Sequence, residues 1–182
     1  MKRDNRYQKT EKAILSSLLG IYRSEPYLAS LHPSKLAEYS KISLATFYRH
    51  YKTVDDIFVF YEKKLITSFE RSLSRRGKTN AKHALKFTLL FICKHNEFFL
   101  ISFSRGDPRL VRQIFVMLRP KFEKSFGWPE NSDKLFNICF YELYGILKQW
   151  SHCAFTEHKL NNVYADVLYL LKSAESRLEG II

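Results

Sequence analysis

The sequence predicts an all-α fold of about nine helices. Three observations predict it. Apolar residues recur at helical spacing along almost all of the 182 residues,. No segment alternates with period two for long enough to make a strand. Proline and glycine fall between the apolar stripes, at Glu25-Pro26, Gly106-Asp107-Pro108 and Gly127-Trp128-Pro129, where they break the backbone ladder,. The expected organisation is a three-helix domain with a helix-turn-helix over residues 1–53. A connecting helix and linker follow over 54–78, then a larger helical domain over 79–182.

Helix 1 is expected over about residues 7–24, with Tyr7, Ile14, Leu15, Leu18, Ile21 and Tyr22 as its stripe,. A short helix 2 begins at Pro33, a residue suited to the first helical position. Ser40-Lys41-Ile42 is a turn. Ser43 is a good N-cap for helix 3, from Leu44 to His50,. Thr53 followed by Asp56 forms the acidic version of a capping box at the start of helix 4,. That helix carries Ile57, Tyr61, Leu65, Phe69 and Leu73 at spacings of four. Arg75-Arg76-Gly77-Lys78 ends it and marks the expected domain boundary. Helices 5 to 8 follow at about 80–95, 97–105, 109–126 and 132–153. Thr156 is placed to cap helix 9, at about 157–177, whose stripe is Val163, Val167, Leu170, Leu171, Ala174 and Leu178.

Composition excludes several classes. An apolar content of 46% is too high for a disordered chain, and six Gly with five Pro exclude collagen-like repeats,. The net charge of +12 favours a polyanionic partner, without choosing between nucleic acid and an anionic surface,. Residues 1–53 hold ten Lys/Arg and four Asp/Glu, 54–128 hold fifteen and seven, and 129–182 hold five and seven. Basicity therefore belongs to the first two thirds. The near-neutral, apolar last third suits association with protein. Three cysteines without a C-x-x-C argue for reduced thiols in a cytoplasmic chain,. No membrane segment is expected. Neither Cys93 with His95 nor His152, Cys153 and His158 has the paired spacing of a zinc site, so neither a metal nor a cofactor is expected,. No nucleophile–base pair or phosphate loop suggests an enzyme.

Residues 33–50 have the length and order of a helix-turn-helix, whose second helix enters the major groove of DNA. Leu36, Ala37, Ile42 and Phe47 are suited to pack the pair on helix 1. Ser43, Leu44, Ala45 and Thr46 keep the front of helix 3 slim enough to approach base edges. Tyr48, Arg49, His50 and Lys52 bring donors for phosphates.

The stretch Leu36-Ala37-Glu38-Tyr39-Ser40-Lys41-Ile42-Ser43-Leu44-Ala45-Thr46-Phe47-Tyr48-Arg49-His50-Tyr51-Lys52-Thr53 resembles the DNA-binding signature of the TetR family of transcriptional regulators. That signature reads, loosely, I-A-x-x-A-G-V-S-x-G-T-L-Y-x-H-F-x-S-K. Tyr141 to Trp150 resembles the penultimate helix of one subgroup, with Gly145 inside it. The resemblance is specific over about residues 10–60 and loose beyond. It implies a homodimer that reads a near-palindromic operator in double-stranded DNA, as a repressor released by a small-molecule effector. Ser34 and Lys35, then Ser43 to Thr46, Tyr48, Arg49, His50, Lys52 and Thr53, are the implied DNA-contacting positions. The alternative is a fold of this type whose altered heads serve a co-activator or protein-interaction role.

Two positions depart from the signature. Lys41 stands where the family has its turn glycine, and Val54 where a lysine meets a phosphate. Backbone N–H groups at the start of helix 4 and the Lys52 ammonium are the expected substitutes. By analogy with the family, a ligand cavity is implied among Phe87, Phe91, His95, Phe99, Phe103, Phe115 and Trp150. For any one of these residues, a place in an ordinary packed core is the favoured reading. The implied dimer surface uses Leu143, Gly145, Ile146, Tyr164, Val167, Leu168 and Leu171.

Overall fold

The computed structural model describes residues 5–25, 30–77, 80–129 and 132–174. Among them are nine α-helices and no strand: α1 (Asn5–Ser24), α2 (Pro33–Tyr39), α3 (Leu44–His50), α4 (Val54–Ser74), α5 (Ala81–Lys94), α6 (Asn96–Ser104), α7 (Arg109–Phe126), α8 (Asp133–Ser151) and α9 (Leu160–Lys172). One 3-10 turn, Glu157–Lys159, precedes α9. None of the described helices is long and apolar enough to cross a membrane. The expected break at Pro26, the linker residue Lys78 and the end of the helix 9 stripe at Leu178 lie outside the described residues.

The chain forms two compact units, residues 1–65 and 66–182, which divide within α4 rather than after residue 53 or at the expected boundary near 75–78. The cause is the length of the α4 stripe, whose two halves serve different cores. In the first unit, Phe58 meets Tyr22 edge-on with ring centroids 5.7 Å apart. In the second, Phe69 stacks on Phe87 at 5.5 Å and meets the edge of Phe91 at 5.2 Å.

The first unit is built on α1. Ile14, Leu18, Ile21 and Tyr22 of α1 are buried, as are Leu36, Ala37 and Phe47 of the helix pair. Ile42 is half-buried. Glu11, also buried, holds the first half of α4 against α1. Its carboxylate lies 3.7 Å from the Lys64 ammonium, and its carbonyl accepts from the Tyr61 hydroxyl at 3.4 Å. The same ammonium sits 4.2 Å from the centre of the Phe60 ring. Burial and then the Glu11 charge push the Tyr61 hydroxyl up to about 12,.

The second unit buries nearly continuous apolar faces of α5, α6, α7, α8 and α9. Three arginines of α7 are structural. Arg109 pairs with Asp107 at 2.6 Å and holds that carboxyl below its ordinary range. Arg112 donates to Asn137 of α8 at 2.6 Å and lies over Phe140. Arg119 bridges Glu123 and Asp133 at 2.8 and 2.7 Å and covers Phe136. Arg112 and Arg119 join α7 to α8, while Arg109 closes the turn before α7.

The segment between α8 and α9 differs from the expected cap. Thr156 makes no capping hydrogen bond, and its hydroxyl meets His158 Nδ1 at 3.3 Å instead. Helical structure proper starts at Leu160. Ala154 and Phe155 both take left-handed backbone, φ +51° and +52°. That geometry drives the Phe155 ring inward until it is 1% exposed. There it meets the edge of Trp150 at 5.1 Å and packs on Phe103 at 5.5 Å. Asn96 Nδ2 donates to the Ala154 carbonyl, and Trp150 Nε1 to that of Thr156, both at 3.3 Å. Polar anchors and aromatic burial together offset a conformation that is costly for residues other than glycine.

Candidate nucleic-acid interface

The helix pair turns tightly because the chain reverses hand once. Lys41 has φ +54°, the conformation for which glycine is the usual choice,. The Lys41 N–H donates to Glu38 O and the Ile42 N–H to Ala37 O, each at 3.0 Å, closing the end of α2. The Ser40 hydroxyl adds a bond to Leu36 O at 2.6 Å. Lysine therefore fills the turn-glycine position in the left-handed form.

α3 starts at Ser43, whose Oγ accepts from the Thr46 N–H at 3.1 Å. Ser43 Oγ and Thr46 Oγ1 lie 2.9 Å apart, and Arg49 Nη2 donates to Thr46 Oγ1 at 3.0 Å. This polar line runs along α3 at steps of three residues. Phe47 fixes the opposite, buried face. Ser43, Leu44, Ala45, Tyr48 and Arg49 are exposed and Thr46 is half-exposed. Leu44 is 41% and Tyr48 51% exposed, although both have large apolar parts. Elsewhere on this unit, exposed apolar bulk of that size is confined to Tyr39 among the described residues.

The remaining expected contacts divide. Lys52 and Thr53 are exposed beside α3. His50 is half-buried, and its ring stacks on Tyr7 of α1 with centroids 4.0 Å apart. Ser34 Oγ pairs with His32 Nδ1 at 3.0 Å, and Lys35 lies 3.7 Å from Glu25. The His32 contact has no signal in the sequence pattern.

The start of α4 is closed by side-chain caps. The Asp56 carboxylate accepts the Lys52 and Thr53 N–H groups at 3.0 and 2.9 Å, and the Asp56 N–H donates to Thr53 Oγ1 at 3.2 Å. The capping box is complete. The N–H groups of Lys52, Thr53 and Asp56 are therefore bonded within the chain. Val54 is buried and contributes apolar contact only.

No family model, curated protein or solved structure gives a significant match to this chain.

In the second unit the implied cavity residues fall into three places. Phe87, Phe91 and His95 line an open recess of about 470 Å³ between the end of α4 and α5. Phe115 borders a cleft of about 10 Å³, room for no more than a water,. Phe99, Phe103 and Trp150 pack with Phe155 in the core. Neither the recess nor the cleft is lined by all seven, and Phe155 packs against Phe99, Phe103 and Trp150. Of the implied dimer surface, Leu143, Val167 and Leu171 point inward and are buried within their own chain. Ile146, Tyr164 and Leu168 are half-buried, and Gly145 is exposed.

Proposed function

We propose that this chain is a sequence-specific DNA-binding transcriptional regulator of the TetR type that acts as a homodimer. One observation carries the proposal: α3 is capped and seated on Phe47 while its outer face offers Leu44, Ala45, Thr46, Tyr48 and Arg49 together. A short helix held from behind, slim at its N-terminal end and bearing a guanidinium near its C-terminal end, suits major-groove entry with phosphate contacts alongside. Leu44 and Ala45 offer apolar contact to thymine methyls, and Thr46 offers the hydroxyl for a base edge. The left-handed Lys41 supports the same reading, since it preserves the turn that the signature builds with glycine.

The exposed face of α8 and α9 supports dimerisation. Tyr141 and Tyr169 are 68% and 70% exposed. A Cβ added at Gly145 would meet nothing within 4 Å in its own chain. Glycine inside a helix costs ~1 kcal/mol relative to alanine, so its use here fits close approach by a second copy. Gly145→Leu should weaken the dimer, read as a raised dissociation constant in analytical ultracentrifugation. An unchanged constant would argue against it.

Specific recognition is tested by gel shift on the DNA upstream of the gene. A discrete complex that survives competitor DNA supports the regulator reading, and sequence-indifferent binding sinks it. The occupied start of α4 favours one second reading, in which the helix pair docks a protein. Capture of a partner by a chain that ignores DNA would support that instead.

A further inference from the structure

The recess at the end of α4 has a composition that the helix-turn-helix does not explain. Its floor is apolar: Phe87, Phe91 and the 43%-exposed Leu90. Its rim is cationic. Arg75 and Arg76 come from the end of α4, and Lys94 from the end of α5. All three are exposed, and none of the described lining residues is acidic. The Arg76 guanidinium lies 4.4 Å from the centre of the Phe87 ring, so charge and apolar surface adjoin,. His95 packs on Phe91 at 4.5 Å, and burial with the neighbouring Lys94 lowers its pKa, leaving a neutral ring with a hydrogen bond to give. Ser68 and Ser72 add hydroxyls.

Cations at helix C-termini are commonly accounted for by the helix dipole. That explains the charge at each end and not the apolar hollow between them. A volume of about 470 Å³ is that of a small-molecule site,. We propose that the recess binds a small organic anion with an apolar body, its carboxylate held by Arg76 and Lys94 and its hydrocarbon or aryl part laid on Phe87, Leu90 and Phe91. A DNA duplex fits the rim alone, since its bases are stacked inside and its phosphate backbone has nothing to place on the aromatic floor. As the effector of a regulator this site rests on the proposed function. Binding itself is measured without DNA, so either claim can fail while the other stands.

The test is titration calorimetry of the purified full chain with decanoate and with 2-naphthoate, against decan-1-ol and decyltrimethylammonium as neutral and cationic counterparts. Saturable one-to-one binding of at least one anion is expected, about tenfold tighter than either counterpart. Arg76→Gln and Lys94→Gln should each weaken it about fivefold, and Leu90→Gln should weaken it as well. All three side chains are exposed, so the variants should keep the wild-type circular dichroism and melting point. Absence of saturable binding by both anions, equal affinity for decan-1-ol, or unchanged affinity in all three variants would overturn the proposal. Displacement of the anion by a short duplex, with the variants losing DNA rather than anion affinity, would assign the cations to DNA and overturn it equally.

Discussion

Arg49 Nη2 donates to Thr46 Oγ1 at 3.0 Å, so the free protein folds its guanidinium back along α3. The hydroxyl is a neutral acceptor, and a phosphate oxygen would be a charged one. Exchange of the first for the second is favourable, because charge-assisted bonds are roughly twice as strong as neutral ones. Arg49→Ala should therefore weaken duplex binding about equally for all sequences and reduce the salt slope by about one. Thr46→Val should instead change sequence preference, by ~1–3 kcal/mol at the affected base pair. Fluorescence anisotropy across a salt series separates the two. A Thr46→Val protein with unchanged preference would remove Thr46 from base readout.

Lys41 bears a side chain in left-handed backbone at φ +54°. Lys41→Gly should stabilise the first unit by up to ~1 kcal/mol, since the steric cost of that conformation is larger than the chain entropy that glycine adds. The urea midpoint should rise with an unchanged slope. A fall in the midpoint would mean that the lysine stem contributes packing worth more than the strain it bears.

Phe155 is the plug of the second unit, and Ala154 bears the strain that sets it there. Phe155→Ala should cost ~3–5 kcal/mol, the usual range for an aromatic cavity. Ala154→Gly should be neutral or stabilising, because glycine accepts that backbone freely. Both are read from thermal or urea unfolding. A Phe155→Ala cost below ~1 kcal/mol would show the ring to be dispensable.

Periodicity made the helices legible, and cap chemistry made their ends so. Ser43 and Asp56 bond as their spacing requires. The interior was less legible for a physical reason: an apolar stripe reports which face is buried and not what buries it. Leu143, Val167 and Leu171 satisfy that pattern equally well inside one chain or between two, and here they are covered by their own chain. Phe155 was hidden because its burial follows from two consecutive left-handed residues that are neither glycine nor asparagine. The carboxylate of Asp56 was legible as a cap, but that it takes both the Lys52 and the Thr53 N–H follows only from the two distances.

Tyr61 links alkaline pH to the first unit. Its hydroxyl is raised from 10.0 to about 12 by burial and the Glu11 charge. A raised folded pKa means that the folded state keeps its proton while the unfolded state loses one. The contribution is complete below pH 10 and is lost as pH climbs toward 12,. Tyr61→Phe should flatten that alkaline decline, measured as melting temperature against pH. A decline of the same steepness in the variant would assign it to other groups.

Binding-site selection from a random duplex pool, at about 0.15 M salt so that unspecific phosphate contacts are screened, tests recognition by α3 most directly. The predicted result is enrichment of an inverted repeat whose half-sites lie about one helical turn, or a multiple of it, apart. Enrichment should be lost or changed in the Thr46→Val protein. A selected pool as random as the starting one, with wild-type affinity independent of sequence, would contradict the assignment of α3 as a DNA-reading helix.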